Sequence, residues 1–193
     1  MRKTPWKYTL IASLLAGLTA TSALAADSYT LDSRHTFPIF EVNHMGFSQQ
    51  RGRFNKTEGK VALDAKAGTG KIDIRIDSAS IDMGLDDWDK HMKGEDFFNT
   101  EKFPAMTFAA DKIDFQNGTP VSAEGTLTLL GVSKPVKLNI ANYRCGIHLM
   151  LRKQACGAEV SATIKRSDFG MMKYIPVVSD EVKIVIPVEA FKD

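Results

Sequence analysis

Along most of the chain, apolar and polar residues alternate with a period of two. The clearest stretch is Lys71 to Asp77, where Ile72, Ile74 and Ile76 face one way and Lys71, Asp73, Arg75 and Asp77 the other. A helix cannot produce that period, whereas a strand with one buried and one wet face does. The same rule puts Phe40, Val42 and His44 on one face, opposite Glu41 and Asn43, in a strand expected to open at Thr36. It recurs at Gly59, Val61 and Leu63, at Val136, Leu138 and Ile140, at Val160, Ala162 and Ile164, and at Val182, Ile184, Ile186 and Val188. Pro38 requires an edge or a bulge. Between Met106 and Phe115 the apolar parity changes from even (Met106, Phe108, Ala110) to odd (Ile113, Phe115), which predicts a bulge near Asp111. Asn117-Gly118 marks a hairpin turn, and Gly68-Thr69-Gly70 and Gly131 to Pro135 mark further turns.

One stretch breaks the pattern. Trp88 to Phe108 concentrates Trp88, Phe97, Phe98, Phe103 and Phe108 with Met92 and Met106. Its first part carries helix punctuation: Asp86, Asp87 and Asp89 near the start, Lys90 and Lys93 near the end, and Gly94 as the stop. A helix over Leu85–Lys93 would set Leu85, Trp88 and Met92 on one stripe, and a helix so short must dock on something to persist. About eight or nine short strands with a single interrupting helix argue for an antiparallel barrel or sandwich and against a parallel sheet, which needs a crossover helix between strands. Closing the sheet would remove its edges. The interior of an eight-stranded barrel is just wide enough for its own side chains or for one slender ligand, so the aromatic stretch reads either as a plug or as the cover of a pocket.

Residues 1–25 are expected to be a cleaved signal peptide. Arg2, Lys3 and Lys7 precede an apolar run from Thr9 to Leu18 and a small-x-small site at Ala23-Leu24-Ala25. That places residues 26–193 in the periplasm or outside the cell as one domain, with no linker or repeat dividing them. The apolar run is too short to span a bilayer, so no integral membrane segment is expected. Without those three bases the chain has 22 basic against 23 acidic residues. A near-neutral chain lacking a basic run excludes nucleic acid and offers no polybasic membrane patch. Cys145 and Cys156 bound CGIHLMLRKQAC, and an oxidising compartment favours their pairing across a hairpin, worth about 3 kcal/mol.

Catalytic signatures are nearly absent. Gly46-Phe47-Ser48-Gln49-Gln50 lacks the closing glycine of a nucleophile elbow, and Asp168-Phe169-Gly170 spells a kinase triplet without the loops that give it meaning. His35, His44, His91 and His148 show no metal-ligand spacing, so neither a metal nor a cofactor is expected. His44, a polar group beside Phe40 and Val42, reads equally as a hydrogen-bonded core residue or a ligand contact. The alternative function is a small periplasmic hydrolase with His44 or His91 as general base beside Asp89 or Asp96. A third reading is a partner-binding stress protein whose barrel is filled by side chains.

Several motifs together resemble the YceI-like periplasmic proteins over most of residues 26–193. They are Tyr29-Thr30-Leu31-Asp32 with His35-Thr36, Phe40-x-Val42-x-His44-x-Gly46, Gly52-Arg53-Phe54, Ser80-Ile81-Asp82, Asp89-Lys90-His91-Met92, Asp96-Phe97-Phe98, Phe103-Pro104-x-Met106-x-Phe108, Gly125 to Leu129 with Gly131-Val132-x-Lys134-Pro135-Val136, and Arg166 to Gly170. The resemblance implies an all-β fold, an antiparallel eight-stranded lipocalin-like barrel with one short helix covering an end. It further implies a cavity for a polyisoprenoid chain, such as that of an isoprenoid quinone or a similar amphiphile, and no enzyme activity. A homodimer and a stress-related role are compatible with it. Trp88 stands where the family pattern has arginine, and Met83 where it has threonine; both bear on how the ligand's polar end is held. The Cys145–Cys156 segment is an elaboration outside the pattern. The expected ligand-binding residues are Phe40, Val42, His44, Ile74, Trp88, Met92, Phe97, Phe98, Phe108, Leu127 and Leu129.

Overall fold

In a computed structural model, which describes residues 26–193, the alternating segments pair into one antiparallel sheet that closes on itself. The expected signal peptide lies outside the described residues. The strands are β1 (Asp27–Leu31), β2 (Ile39–His44), β3 (Ser48–Phe54), β4 (Thr57–Asp64), β5 (Thr69–Asp77) and β6 (Ile81–Asp82). The helix α1 (Asp86–Lys93) follows, then β7 (Ala105–Gln116), β8 (Thr119–Leu129), β9 (Val132–His148), β10 (Lys153–Lys165) and β11 (Val178–Lys192). The long β11 pairs with β2 through its first part and with β1 through its last residues, while β4 lies between β1 and β5, and β3 between β2 and β6. Thus β1 with β2, β3 with β4, and β5 with β6 are each one stave broken in the middle, and the sheet is a closed eight-stranded barrel.

The breaks have local causes. Between β1 and β2 the Thr36 hydroxyl, almost fully buried, donates to Glu189 O and accepts from Glu189 N–H, both at 3.0 Å, so a side chain stands in for a ladder rung where the chain kinks ahead of Pro38. The kink is further held by Asp32 and His35, 2.7 Å apart through Oδ2 and Nδ1. At the third break the Asp77 carboxylate accepts from Ala79 N–H, and Ser78 donates its hydroxyl to Phe103 O at 2.5 Å, anchoring the return of the aromatic stretch.

The bulge expected near Asp111 is present: Ala110 pairs with Gly125 and Lys112 with Glu124, leaving Asp111 as the extra residue. Asn117 and Gly118 both take positive φ, as a two-residue hairpin turn requires. Other boundaries differ. The turn before β5 is Ala65–Gly68, with Thr69 and Gly70 already in the strand, and the β8–β9 turn is only Leu130–Gly131. Pro135 sits inside β9 opposite Thr126; β10 joins β9 only from Asn139, so one edge of β9 is open where proline lacks its donor. Leu85 is the exposed, extended residue before α1 and not part of a buried stripe, and α1 buries no residue fully. Cys145 and Cys156 are disulfide-bonded across the β9–β10 ladder, as expected.

Two polar clusters tie the ends of β11. Arg166, 4% exposed at the end of β10, donates to the carbonyls of Met171, Lys173, Val178 and Ser179 at 2.8–3.2 Å, organising the loop that leads into β11. Burial pushes its pKa down while Asp180 opposes the shift. A lysine cannot reproduce this fork. Arg166→Lys is expected to cost about 2–4 kcal/mol in urea unfolding, because a single ammonium cannot reach all four carbonyls and leaves some of them without a donor. At the seam, where only Tyr29, Thr30 and Leu31 pair with β11, the Asp193 carboxylate accepts from Ser28 (2.6 Å), Thr30 (2.5 Å) and Lys60 (3.2 Å). These bonds lower its pKa from 3.8 to about 2. A carboxylate with a depressed folded pKa stabilises above its unfolded value and loses that contribution as pH falls through the folded one. The urea midpoint of Asp193→Asn should therefore lie below that of the unaltered chain at pH 7, and the difference should vanish as pH drops from about 4 to about 2.

Candidate ligand cavity

Because every stave turns its apolar parity inward, the barrel encloses a cavity of about 690 Å³. The wall comes from all sides: Ile72, Ile74 and Ile76 of β5, Val136, Leu138 and Ile140 of β9, Val160 and Ile164 of β10, and Val182, Ile184, Ile186 and Val188 of β11. The structure places all eleven expected ligand residues on this wall. Phe40, Val42 and His44 come from β2, Ile74 from β5, Phe108 from β7, Leu127 and Leu129 from β8, Trp88 and Met92 from α1, and Phe97 and Phe98 from the turn after it. Phe40, Phe97, Phe98, Phe108 and Leu129 are buried, whereas Trp88 is 42% exposed.

Two glycines let aromatic rings lie flat against the wall. A Cβ at Gly52 would meet the Phe40 ring at 2.5 Å, and one at Gly125 would meet the Phe108 ring at 2.6 Å. Near α1, Phe98 packs against Phe54 (5.1 Å between centroids, edge to face) and Phe40 (6.1 Å), while Phe97 contacts His91 (4.8 Å) and Tyr174 (6.2 Å). The aromatic stretch thus floors the helix end without filling the barrel, so the reading of a barrel filled by side chains does not hold.

Polar groups are few on the wall. His44, Gln50, Asp87, His91 and Tyr174 belong to elements at or beside the α1 end, and Tyr29 and Tyr143 to the other. Burial foremost raises the pKa of both tyrosines, and Tyr143 Oη lies 3.0 Å from Cys145 Sγ. Thr57 Oγ1 is buried with no hydrogen-bond partner among the described residues. Sequence reasoning missed Tyr143 because Asn142, at positive φ, makes a bulge that shifts the inward parity of β9 from even to odd. Tyr29 could have been found from the Ser28-Tyr29-Thr30-Leu31-Asp32 alternation, whereas Tyr174, in the loop before β11, carried no such signal.

The hydrolase pairing finds no support in the geometry. Asp89 accepts from Met83 N–H at 2.6 Å and Asp96 pairs with Lys173 at 3.0 Å, so each carboxylate is engaged away from His44 and His91. Among the described residues Asp32, His35 and Glu189 form a compact acid–histidine group, off the cavity wall and part of the β1–β2 kink.

Fold and cavity together define a lipocalin-like β-barrel of the binding-protein kind. A YceI-like domain model matches residues 29–190, and the chain belongs to that family. It is 35% identical over 191 residues to a UPF0312 protein of Pseudomonas aeruginosa, covering 96% of this chain and 98% of that one. To a UPF0312 protein of Shewanella denitrificans it is 34% identical, with 96% and 99% covered. Among solved structures, Burkholderia cenocepacia BcnA superposes with a TM-score of 0.70 at 26% identity, covering 82% of this chain and 98% of its own. The Campylobacter jejuni YceI protein gives 0.64 at 28% identity, covering 78% and 90%. A polyisoprenoid-binding domain from Saccharophagus degradans, at 17% identity and a TM-score of 0.62, shares the fold over 86% of this chain and 98% of that one.

Trp88 is the most exposed of the eleven expected residues on the wall. It lines the wall yet stays partly exposed, on a helix that buries nothing fully, so its loss removes little core. Trp88→Ala is expected to change the melting temperature by no more than about 2 °C, the effect of a small surface loss in a chain of this size. It should nevertheless speed the exit of a hydrophobic probe from the cavity severalfold in stopped-flow fluorescence.

Proposed function

We propose that this protein is a periplasmic carrier of an isoprenoid-tailed lipid, a polyisoprenoid or an isoprenoid quinone, held lengthwise in the barrel. The observation that carries the reading is the continuous apolar cavity of about 690 Å³, with polar groups few on its wall. That volume lies within the range of small-molecule sites, whose walls are mainly apolar with a few placed polar groups. The polyisoprenoid-binding description of the Saccharophagus degradans domain, which shares this fold, supports the same ligand class.

Affinity would come mainly from the tail. At about 0.8 kcal/mol per buried CH₂-sized group, several prenyl units outweigh the one or two hydrogen bonds a head group could add. The head would tune selectivity at one end, and with Met83 and Trp88 lining the wall in place of the family's threonine and arginine, the α1 end contributes fewer polar contacts to it. Nothing in this reading requires a reaction.

Extraction of the purified protein with organic solvent should yield isoprenoid lipid near one equivalent by mass spectrometry. The emptied protein should take up added long-chain quinone and reject a short-chain analogue that shares its head. Absence of bound lipid together with no uptake would overturn the proposal.

A further inference from the structure

The hairpin joining β9 to β10 reaches beyond the barrel. β10 last pairs with β11 at Ala155, opposite Phe191, and β9 last pairs with β8 at Asn139, opposite Ser122, so the ribbon past these points is paired only within itself. Its stem is rigid. Outward from the Cys145–Cys156 disulfide the pairs are Gly146 with Ala155, Ile147 with Gln154 and His148 with Lys153. Arg152 N–H donates to His148 O at 2.7 Å and Leu151 N–H to His148 Nδ1 at 3.2 Å, closing the turn, and the His148 ring stands edge-on to Phe191 at 5.5 Å.

This stem presents an apolar tip. Leu149 and Met150 are each 89% exposed, Ile147 64% and Leu151 47%. Turns at such exposure are ordinarily built of Gly, Asn, Asp, Ser and Pro. The charge around the tip has one sign: Tyr143 to Ala158 contains Arg144, Arg152 and Lys153 and no acid, a cluster gathered by the hairpin, which corrects the expectation of no basic membrane patch drawn from the lack of a basic run. Of the acids at this end of the barrel, Asp27 is engaged by Lys192, Asp193 by Lys60, Asp64 by the N–H groups of its own turn, and Glu159 by Asn142 at 3.4 Å.

We propose that this hairpin docks the protein on an anionic phospholipid bilayer. Leu149 and Met150, flanked by Ile147 and Leu151, enter the headgroup region, and Arg144, Arg152 and Lys153 meet lipid phosphates. Apolar insertion and basic attraction are the two signals that together hold a protein at a membrane surface where either alone is weak. The turn's internal hydrogen bonds limit the bare backbone carried into that layer. A protein partner fits less well, since four side chains on a narrow convex tip fall far short of the roughly 20–30 residues a side used by a stable protein interface. The proposal stands apart from the cavity's ligand.

The test is flotation of residues 26–193, which contain the whole barrel, with vesicles of phosphatidylglycerol and phosphatidylethanolamine free of isoprenoid lipid. Retention there reports docking and not cavity loading. The protein should float with these vesicles and bind neutral phosphatidylcholine vesicles about tenfold more weakly or worse, and raising salt from about 0.05 to about 0.5 M should weaken anionic binding by a similar factor. The double variant Leu149→Asp with Met150→Asp, and the triple variant Arg144→Gln, Arg152→Gln and Lys153→Gln, should each lose about tenfold or more while keeping the melting curve and hydrophobic-probe uptake of the unaltered chain. Failure of the unaltered chain to float, salt-insensitive binding, or unchanged retention in either variant overturns the proposal, as does binding of a protein through the hairpin by a chain that ignores vesicles.

Discussion

The controlling constraint is closure. A sheet that meets itself has no edges to protect, but an eight-stranded one leaves inward side chains facing each other across space, and in this chain they do not fill it. Apolar walls around an unfilled volume are tolerable only if the ends are managed. The helix, the aromatic turn and the loop held by Arg166 all lie where strands would otherwise leave an open, wettable end. The seam shows how narrowly closure is achieved. Only three residues of β1 meet β11 directly, and the next part of that stave is a kink in which the Thr36 hydroxyl replaces a backbone rung.

What was legible in the sequence followed from period two. Wherever a strand ran unbroken, as in Ile72-x-Ile74-x-Ile76 or Val182 to Val188, parity alone named the residues on the cavity wall. The change of parity between Ala110 and Ile113 was enough to locate the Asp111 bulge. A further bulge, at Asn142, went unread because no clear apolar run follows it: after Tyr143 the chain enters the protruding hairpin, whose outward residues alternate against no core. The motifs around Asp32, His35, Thr36 and Arg166 could be matched to a family but not given a purpose, because their hydrogen bonds hold a kink and a loop outside the strand ladders, Thr36 reaching as far as Glu189 and Arg166 fanning onto carbonyls from Met171 to Ser179. Such contacts leave no local period.

The aromatic interruption separates into parts with different duties. Phe97 and Phe98 are buried and join Phe40, Phe54 and Met106 in the core of the helix end, so they are structural and wall-forming at once. Trp88 and Met92 belong to a helix with no buried residue, tied back through Asp89 to Met83 N–H. Stability therefore resides in the turn, and mobility is available to the helix, because segments with few buried apolar contacts are the ones that open at low free-energy cost. Any apolar molecule longer than it is wide must pass one end, and the α1 end has the element least committed to the core.

The two ends also differ in chemistry. At the α1 end His44, Gln50, Asp87 and His91 share the wall with Trp88 and Met83, giving a mixed environment in which a polar head could keep some contact with water. At the other end Tyr29 and Tyr143, beside the disulfide, bring phenolic groups to the wall, and burial disfavours their ionised forms. A charged head would be costly there and a neutral hydrogen-bonding group would not, since burying a charge without a partner costs far more than burying a satisfied polar group. On the proposed function, an amphiphile with a charged head would be held in one orientation, head toward α1. One with a neutral ring could enter either way, and the choice between them rests on which end its tail can pass.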